Sequence, residues 1–361
     1  MVGNSSNRLW FLSEKDILDT DCLDMSGCIE MMEYVFELYN QNQVIMGESG
    51  QYLHGHMTTF PSNLSDEQAA TVEDGSRFGA MPAYVGGDID MVGVKWYGAV
   101  PSSTVYSRPL LTLSDPADGR PVAILDGSVI STMRTGAMVG LGAATLQKHN
   151  AETVAILGPG KTGQAAAIGV DTALDSVEKT YVVHPEQNKA AAFTDAMQER
   201  VSFELVPTSS VNTAVQRSEI VVSTATPSPA PEIEPEWLRD DSTVVQIGDL
   251  KVPLDAFDHE QIFCDISSHP FEFEEQIGWE ITRQFTTHYG ENRAEKSDIR
   301  TLHELIGGDD TGPTSGKSFL SSLGLPMEDV AWGTAVLRTA LEKNLGTPLD
   351  LSTQSPFSRP Y

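Results

Sequence analysis

Between residues 14 and 43, apolar side chains recur at helical spacing: Ile17, Leu18, Met25, Ile29, Met32, Val35, Phe36 and Leu38. That period predicts one or two amphipathic helices serving as scaffold. From about Gly79 to Leu125 the pattern changes to short β-branched and aromatic runs, "MVGVKWYGAV", "LLTLSD" and "PVAILD", separated by Gly, Pro, Asp and Ser. These predict a meander of antiparallel strands. A small-residue helix follows over 128–149, where Gly136, Gly140 and Gly142 would let a neighbouring backbone approach closely.

Beyond residue 150 the periods alternate. "TVAILG", "KTYVVH", "SFELV", "EIVVSTAT" and "TVVQIG" read as strands, and "KTGQAAAIGVDTAL", "NKAAAFTDAMQE" and "SVNTAVQR" as helices between them. Strands alternating with helices predict βαβ units on a parallel sheet, an α/β fold. A last helix over 327–346 ends at Gly346 ahead of Pro348. The first alternating strand runs into "AILGPGKTGQAAA", a Gly-x-Gly-x-x-Gly turn opening an alanine-rich helix. Gly158 permits the tight turn, Gly160 lets the backbone approach a pyrophosphate, and Gly163 lets helix and strand pack. The helix N-terminus offers free N–H groups to the phosphates. Where an acid would bind the ribose 2′-hydroxyl of NAD, the second strand ends in His184. His184 either contacts the adenosine ribose or caps the turn. No acid there repels a 2′-phosphate and no nearby arginine binds one, so NAD and NADP both stay open.

Composition narrows the partners. A length of 361 residues suits two domains with a cleft between them. The 51 acids against 23 bases, a formal charge of −28, leave no basic footprint for nucleic acid or an anionic membrane. No apolar stretch approaches the ~20 residues of a membrane span. The N-terminus does not read as a signal peptide, so a cytoplasmic location is the default. Cys22, Cys28 and Cys264 form neither a disulfide framework nor a zinc pattern, so they are expected in the core and no metal is assigned.

In so acidic a chain, bases inside apolar stretches stand out: Arg77 in "SRFGAMP", Lys95 in "VGVKWYG" and Arg134 in "STMRTGA". A carboxylate substrate calls for such cations in a cleft. Lys95 on its strand faces either water or a site. Arg134, near a helix start, either binds an anion or forms a structural ion pair.

"FGAMPAYVGG", "GVKWYG", "DPADGRPVAILDGSVISTMRTGA", "VAILGPGKTG", "VVSTATPSPAP", "VVQIGD" and "GLPMEDVAWG" occur in an order and spacing that resembles the ornithine cyclodeaminase/mu-crystallin family over roughly residues 10–350. The resemblance implies a dinucleotide-binding Rossmann domain over 131–319. It also implies a substrate-binding and dimerisation domain built from 1–130 and 320–361, which pairs into a homodimer. Lys95 and Arg134 then hold the substrate carboxylate, and Asp249 is the nearest match to the aspartate that handles the substrate amine. Asp249 is otherwise a loop carboxylate. The cofactor set becomes Thr135, Gly158, Pro159, Gly160, Lys161, Thr162, Gly163, His184, Thr224, Ala225 and Thr226. The family's second carboxylate-binding arginine has no counterpart in "IMGESGQYLHGH"; Arg77 is a candidate replacement, with Tyr97, Tyr52, His54 and His56 candidate pocket residues.

The implied activity is hydride exchange between NAD or NADP and the amine-bearing carbon of an amino acid or its imine, in a dehydrogenase, cyclodeaminase or ketimine reductase. The alternative is a mu-crystallin-like protein that binds NAD(P)H and a small ligand without catalysis, or an accessory subunit of an amine-metabolising enzyme.

Overall fold

The computed structural model describes residues 8–47, 53–60, 73, 76–100, 107–225, 229–290, 299–307 and 312–351. Tyr52 and Thr226 lie outside the described residues. In chain order the strands are β1 (Arg8–Leu12), β2 (Val44–Ile45), β3 (His56–Thr59), β4 (Arg77–Val85), β5 (Met91–Ala99), β6 (Leu110–Ser114), β7 (Pro121–Asp126), β8 (Thr153–Leu157), β9 (Lys179–Val183), β10 (Glu204–Thr208), β11 (Ile220–Ser223), β12 (Thr243–Gln246), β13 (Ile262–Cys264), β14 (Arg300–Thr301), β15 (Ser318–Ser321) and β16 (Thr347–Asp350). The helices are α1 (Glu14–Leu18), α2 (Met25–Asn40), α3 (Ser128–Leu146), α4 (Lys161–Ala173), α5 (Gln187–Met197), α6 (Val211–Arg217), α7 (His269–Gln276), α8 (Glu280–Tyr289), α9 (Leu302–Gly307) and α10 (Pro326–Glu342).

The strands form two sheets. One is parallel throughout, in the order β10-β9-β8-β11-β12-β15-β13-β14, with its direction of growth reversing between β8 and β11. Its strands are buried on both faces: on β8, Val154 and Ile156 join one apolar cluster while Ala155 and Leu157 join another. That explains the continuous apolar runs in place of an alternation. The other sheet is mixed, in the order β16-β1-β7-β6-β5-β4-β2 with β3 also on β4. β4 to β7 form the expected antiparallel meander. β1 joins β7 in parallel and β16 closes that edge, two strands too short and too far apart in sequence for periodicity to pair them.

α3 and α4 cross at close range through glycine. A Cβ on Gly136 would lie 2.5 Å from the Ala165 carbonyl oxygen, and one on Gly169 would lie 2.1 Å from that of Gly136. α10 packs against β4, β5, β6, α2 and α3, and its residues from Pro326 to Thr334 are all buried. A helix buried all round should be apolar all round. Its first turn breaks that rule with Glu328 and Asp329, 0% and 1% exposed. No helix among the described residues is long and apolar enough to cross a membrane.

Candidate active site

β8 delivers the chain to the glycine turn at the switch point of the parallel sheet, where ligands bind in open α/β folds. Gly158 has φ +114°, and Thr224 Oγ1, beyond the end of β11, donates to its carbonyl at 2.8 Å. A Cβ on Gly163 would lie 2.3 Å from that same carbonyl oxygen, so the third glycine is needed for the helix to fold onto the turn. A Cβ on Gly160 would meet no described protein atom within 4 Å, and no side chain caps α4. The turn therefore offers an open approach to the first N–H groups of α4, a fit for a pyrophosphate. His184 Nδ1 accepts from the Glu186 backbone N–H at 3.0 Å, which is the turn-capping arrangement.

Lys95 lies on the inner face of β5, opposite Met81 and Leu111, 5% exposed. An ammonium in that position requires a counter-charge. The first turn of α10 supplies it: Lys95 Nζ is 2.5 Å from Asp329 Oδ2 and 3.4 Å from Ser131 Oγ. Arg134, also buried, donates from Nε to Asp329 Oδ1 at 3.3 Å and from Nη1 to Glu328 Oε2 at 2.7 Å. Burial brings Lys95 down to about 8 against the pull of Asp329. For Asp329, burial is outweighed by Arg134 and Lys95, which hold its carboxyl below the usual range. Glu328 moves the other way: burial raises it, Arg134 only partly compensating, with Asp265 and Asp329 adding to the rise.

A cavity of about 330 Å³ joins the two halves of the site. Arg77, Lys95 and Tyr97 line it from the mixed sheet, Arg134 and Thr135 from α3, and Lys161 and Thr162 from the glycine turn. Arg77 Nε is buried with no hydrogen-bond partner among the described residues. Tyr97, pushed up to about 12 by burial, has its hydroxyl 3.3 Å from His54 Nε2, and His54 lines the same cavity. His56 is on β3 and does not line it; Pro159 and Ala225 belong to the turn and to the end of β11.

Asp249 is placed elsewhere. Its Oδ1 accepts from the backbone N–H of Leu250 at 2.9 Å and of Ile281, in the first turn of α8, at 3.2 Å. It does not line the cavity. Conversely, Glu328, Asp329, Asp265 and His269 received no assignment from the sequence. A visible signal existed for the first two, consecutive acids directly ahead of the apolar run Val330–Trp332. For Asp265 and His269 none did, because His269 meets His54 across 215 positions and Asp265 meets the Leu323 N–H across 58.

The sequence pattern of the ornithine cyclodeaminase/mu-crystallin family matches residues 23–344. The chain is 26% identical over 281 residues to N-((2S)-2-amino-2-carboxyethyl)-L-glutamate dehydrogenase of Staphylococcus aureus, across 75% of this chain and 81% of that enzyme. Its fold matches Delta(1)-pyrroline-2-carboxylate reductase of Thermococcus litoralis, solved with NADH and L-proline, at TM-score 0.78 and 20% identity over 94% of this chain and 99% of the other. An archaeal alanine dehydrogenase dimer with bound NAD matches at TM-score 0.75 and 20% identity over 96% and 100%. With the family pattern spanning nearly the whole described chain on this two-sheet fold, the protein belongs to the ornithine cyclodeaminase/mu-crystallin family.

Proposed function

We propose that the protein is an NAD(P)-dependent oxidoreductase acting at the amine-bearing carbon of an amino acid or its imine, as a dehydrogenase, ketimine reductase or cyclodeaminase. One observation carries this: a single cavity is walled on one side by the glycine turn and on the other by Arg77, Lys95 and Arg134. The open Gly160 and uncapped α4 suit the pyrophosphate, with Thr224 and Ala225 facing the turn and Thr135, Lys161 and Thr162 on the cavity side. When bound, the nicotinamide supplies or accepts the hydride.

The chain's own residues bind and orient the substrate. Three cations face one firmly ionised carboxylate, Asp329, and one carboxyl raised by burial, Glu328. The surplus is positive within a chain of formal charge −28, and it favours a substrate carboxylate. Arg77 Nε, buried without a partner among the described residues, is a donor available to that carboxylate, and Lys95 and Arg134 add positive potential. Asp249, held by two backbone N–H groups outside the cavity lining, supports giving the amine-side proton transfer to another group.

Homodimerisation fits the outer face of the mixed sheet. Phe78 stacks on Trp96, and Val92, Trp96 and Leu110 are exposed on the same face. Cys22, Cys28 and Cys264 are buried free thiols, in keeping with a reducing cytoplasmic setting. The test is nicotinamide absorbance, read in both directions over amino acids, diamines, cyclic imines, and keto acids with ammonia or methylamine. Turnover of one such class is expected. Micromolar cofactor binding with no turnover of any of them would establish a non-catalytic ligand-binding protein.

A further inference from the structure

From the half-buried Tyr97 at the cavity, three buried polar side chains line up into the protein. The Tyr97 hydroxyl lies 3.3 Å from His54 Nε2, His54 Nδ1 lies 3.4 Å from His269 Nε2, and His269 Nδ1 lies 3.7 Å from Asp265 Oδ2. They come from β5, the loop before β3, the start of α7 and the end of β13. Exposure of His54, His269 and Asp265 is 6%, 1% and 0%.

The tautomers follow from their partners. His54 Nδ1 is 3.0 Å from the Gly324 carbonyl oxygen, which can only accept, so Nδ1 carries the hydrogen. His54 Nε2 is then the acceptor for the Tyr97 O–H; the other neighbour of that hydroxyl, Met57 Sδ at 3.5 Å, is a weak acceptor. His269 Nε2, facing the His54 Nδ1–H, is likewise an acceptor, and its hydrogen lies on Nδ1, toward Asp265. That last link is open: His269 Nδ1 and Asp265 Oδ1 are both buried without a hydrogen-bond partner among the described residues. Buried polar groups are rarely left unpaired, and catalytic hydrogen bonds are often long until substrate binds. Asp265 Oδ2 is held by the Leu323 backbone N–H at 3.0 Å.

We propose that Tyr97 exchanges the amine-side proton with the substrate and that His54, His269 and Asp265 form the relay behind it, an inference resting on the oxidoreductase assignment above. In amine oxidation, the substrate ammonium gives a proton to the Tyr97 oxygen as the Tyr97 O–H bond breaks toward His54 Nε2. The His54 Nδ1–H then passes to His269 Nε2, and the His269 Nδ1–H to Asp265. One proton leaves the substrate, one is bound by the carboxylate, and no electron pair travels along the chain. Imine reduction runs the same transfers backward. Burial, then the neighbouring His269, Lys95 and Arg134, keeps His54 neutral, as a relay member needs to be. The charged groups acting on the row are Lys95 and Arg134 on His54, and Arg77, Arg134 and Asp329 on Tyr97, with Glu328 paired to Arg134 and acted on by Asp265.

The test uses the full chain in two arms. Two-bond ¹H–¹⁵N spectra of the protein without cofactor should show hydrogen on Nδ1 and a bare Nε2 in both His54 and His269; an Nε2–H at either position overturns the relay. In turnover, Tyr97→Phe should lower kcat by about a hundredfold or more. His54→Gln, which keeps an acceptor for Tyr97 but cannot relay, should lower kcat at least tenfold with cofactor affinity unchanged. His269→Gln and Asp265→Asn should turn a curved proton inventory in mixed H₂O and D₂O into a linear one. Wild-type kcat and curvature in the folded His54 and His269 variants would sink the relay while leaving the oxidoreductase assignment standing. Absence of turnover in the wild type would remove both, whatever the tautomers.

Discussion

Lys95 Nζ lies 2.5 Å from Asp329 Oδ2, a pair that spans 234 positions of sequence and ties β5 of the mixed sheet to the first turn of α10. With Arg134 on the other carboxylate oxygen, Asp329 neutralises part of a largely buried cationic site. Replacing Lys95 by Met removes one cation and leaves Arg134 as the remaining cation on the carboxylate. Loss of one partner from a buried pair costs about 3–5 kcal/mol. Lys95→Met is therefore expected to lower Tm measurably and kcat/KM by about a thousandfold, a loss of about 4 kcal/mol in transition-state binding, with NADH affinity within twofold of wild type. A kcat/KM within tenfold of wild type in a folded variant refutes the substrate-clamp role.

The acid limb of stability separates two buried groups. His54 is held well below its usual pKa, so below pH 6.5 the unfolded chain takes up a proton that the folded chain refuses, and stability falls with pH. Glu328 is raised, so above pH 4.5 the folded chain holds a proton that the unfolded chain releases, and stability rises as pH falls. The two partly cancel in the wild type. Chemical denaturation from pH 7 to 5 should show His54→Gln gaining on wild type by about 1.4 kcal/mol per pH unit below 6.5. Glu328→Gln should shift the slope the opposite way. Parallel curves for wild type and His54→Gln would show that His54 titrates normally.

The glycine turn can be dissected by single methyl groups. At Gly160 a Cβ meets no described protein atom, so Gly160→Ala should leave Tm unchanged while weakening NADH binding at least tenfold by calorimetry, the methyl standing where the pyrophosphate approaches. At Gly163 the same methyl meets the Gly158 carbonyl at 2.3 Å, and Gly163→Ala should lower both stability and affinity. Unchanged NADH affinity in Gly160→Ala would remove the turn from the cofactor site.

Gly169→Ala provides the structural counterpart. Its Cβ would sit 2.1 Å from the Gly136 carbonyl oxygen, forcing α3 and α4 apart. Overpacking of this kind costs about 1–3 kcal/mol, to be read in urea unfolding. No destabilisation would mean that the two helices are not so closely apposed.

Trp96, 49% exposed and stacked on Phe78, tests the oligomer. Light scattering of the wild type should give twice the 39.1 kDa chain mass, and Trp96→Glu should shift it toward the monomer. A monomeric wild type would discard the outer face as an interface.

By itself, the sequence determined what local periodicity and local chemistry can carry. The alternation after residue 150, the three glycines of the turn, and lone bases in apolar runs at 77, 95 and 134 pointed to the parallel sheet, the open turn at the start of α4 and the cations lining the cavity. Such signals depend on neighbours within a turn or a strand, so they survive without knowledge of the fold. Tertiary structure decided which distant groups meet. The first turn of α10 places Glu328 and Asp329 against Arg134 and Lys95; β13 and α7 place Asp265 and His269 behind His54; Asp249, in a favourable local setting, caps α8 instead. Burying a charge is costly until a partner is present, and here the partners lie about two hundred residues away, beyond the reach of any local pattern.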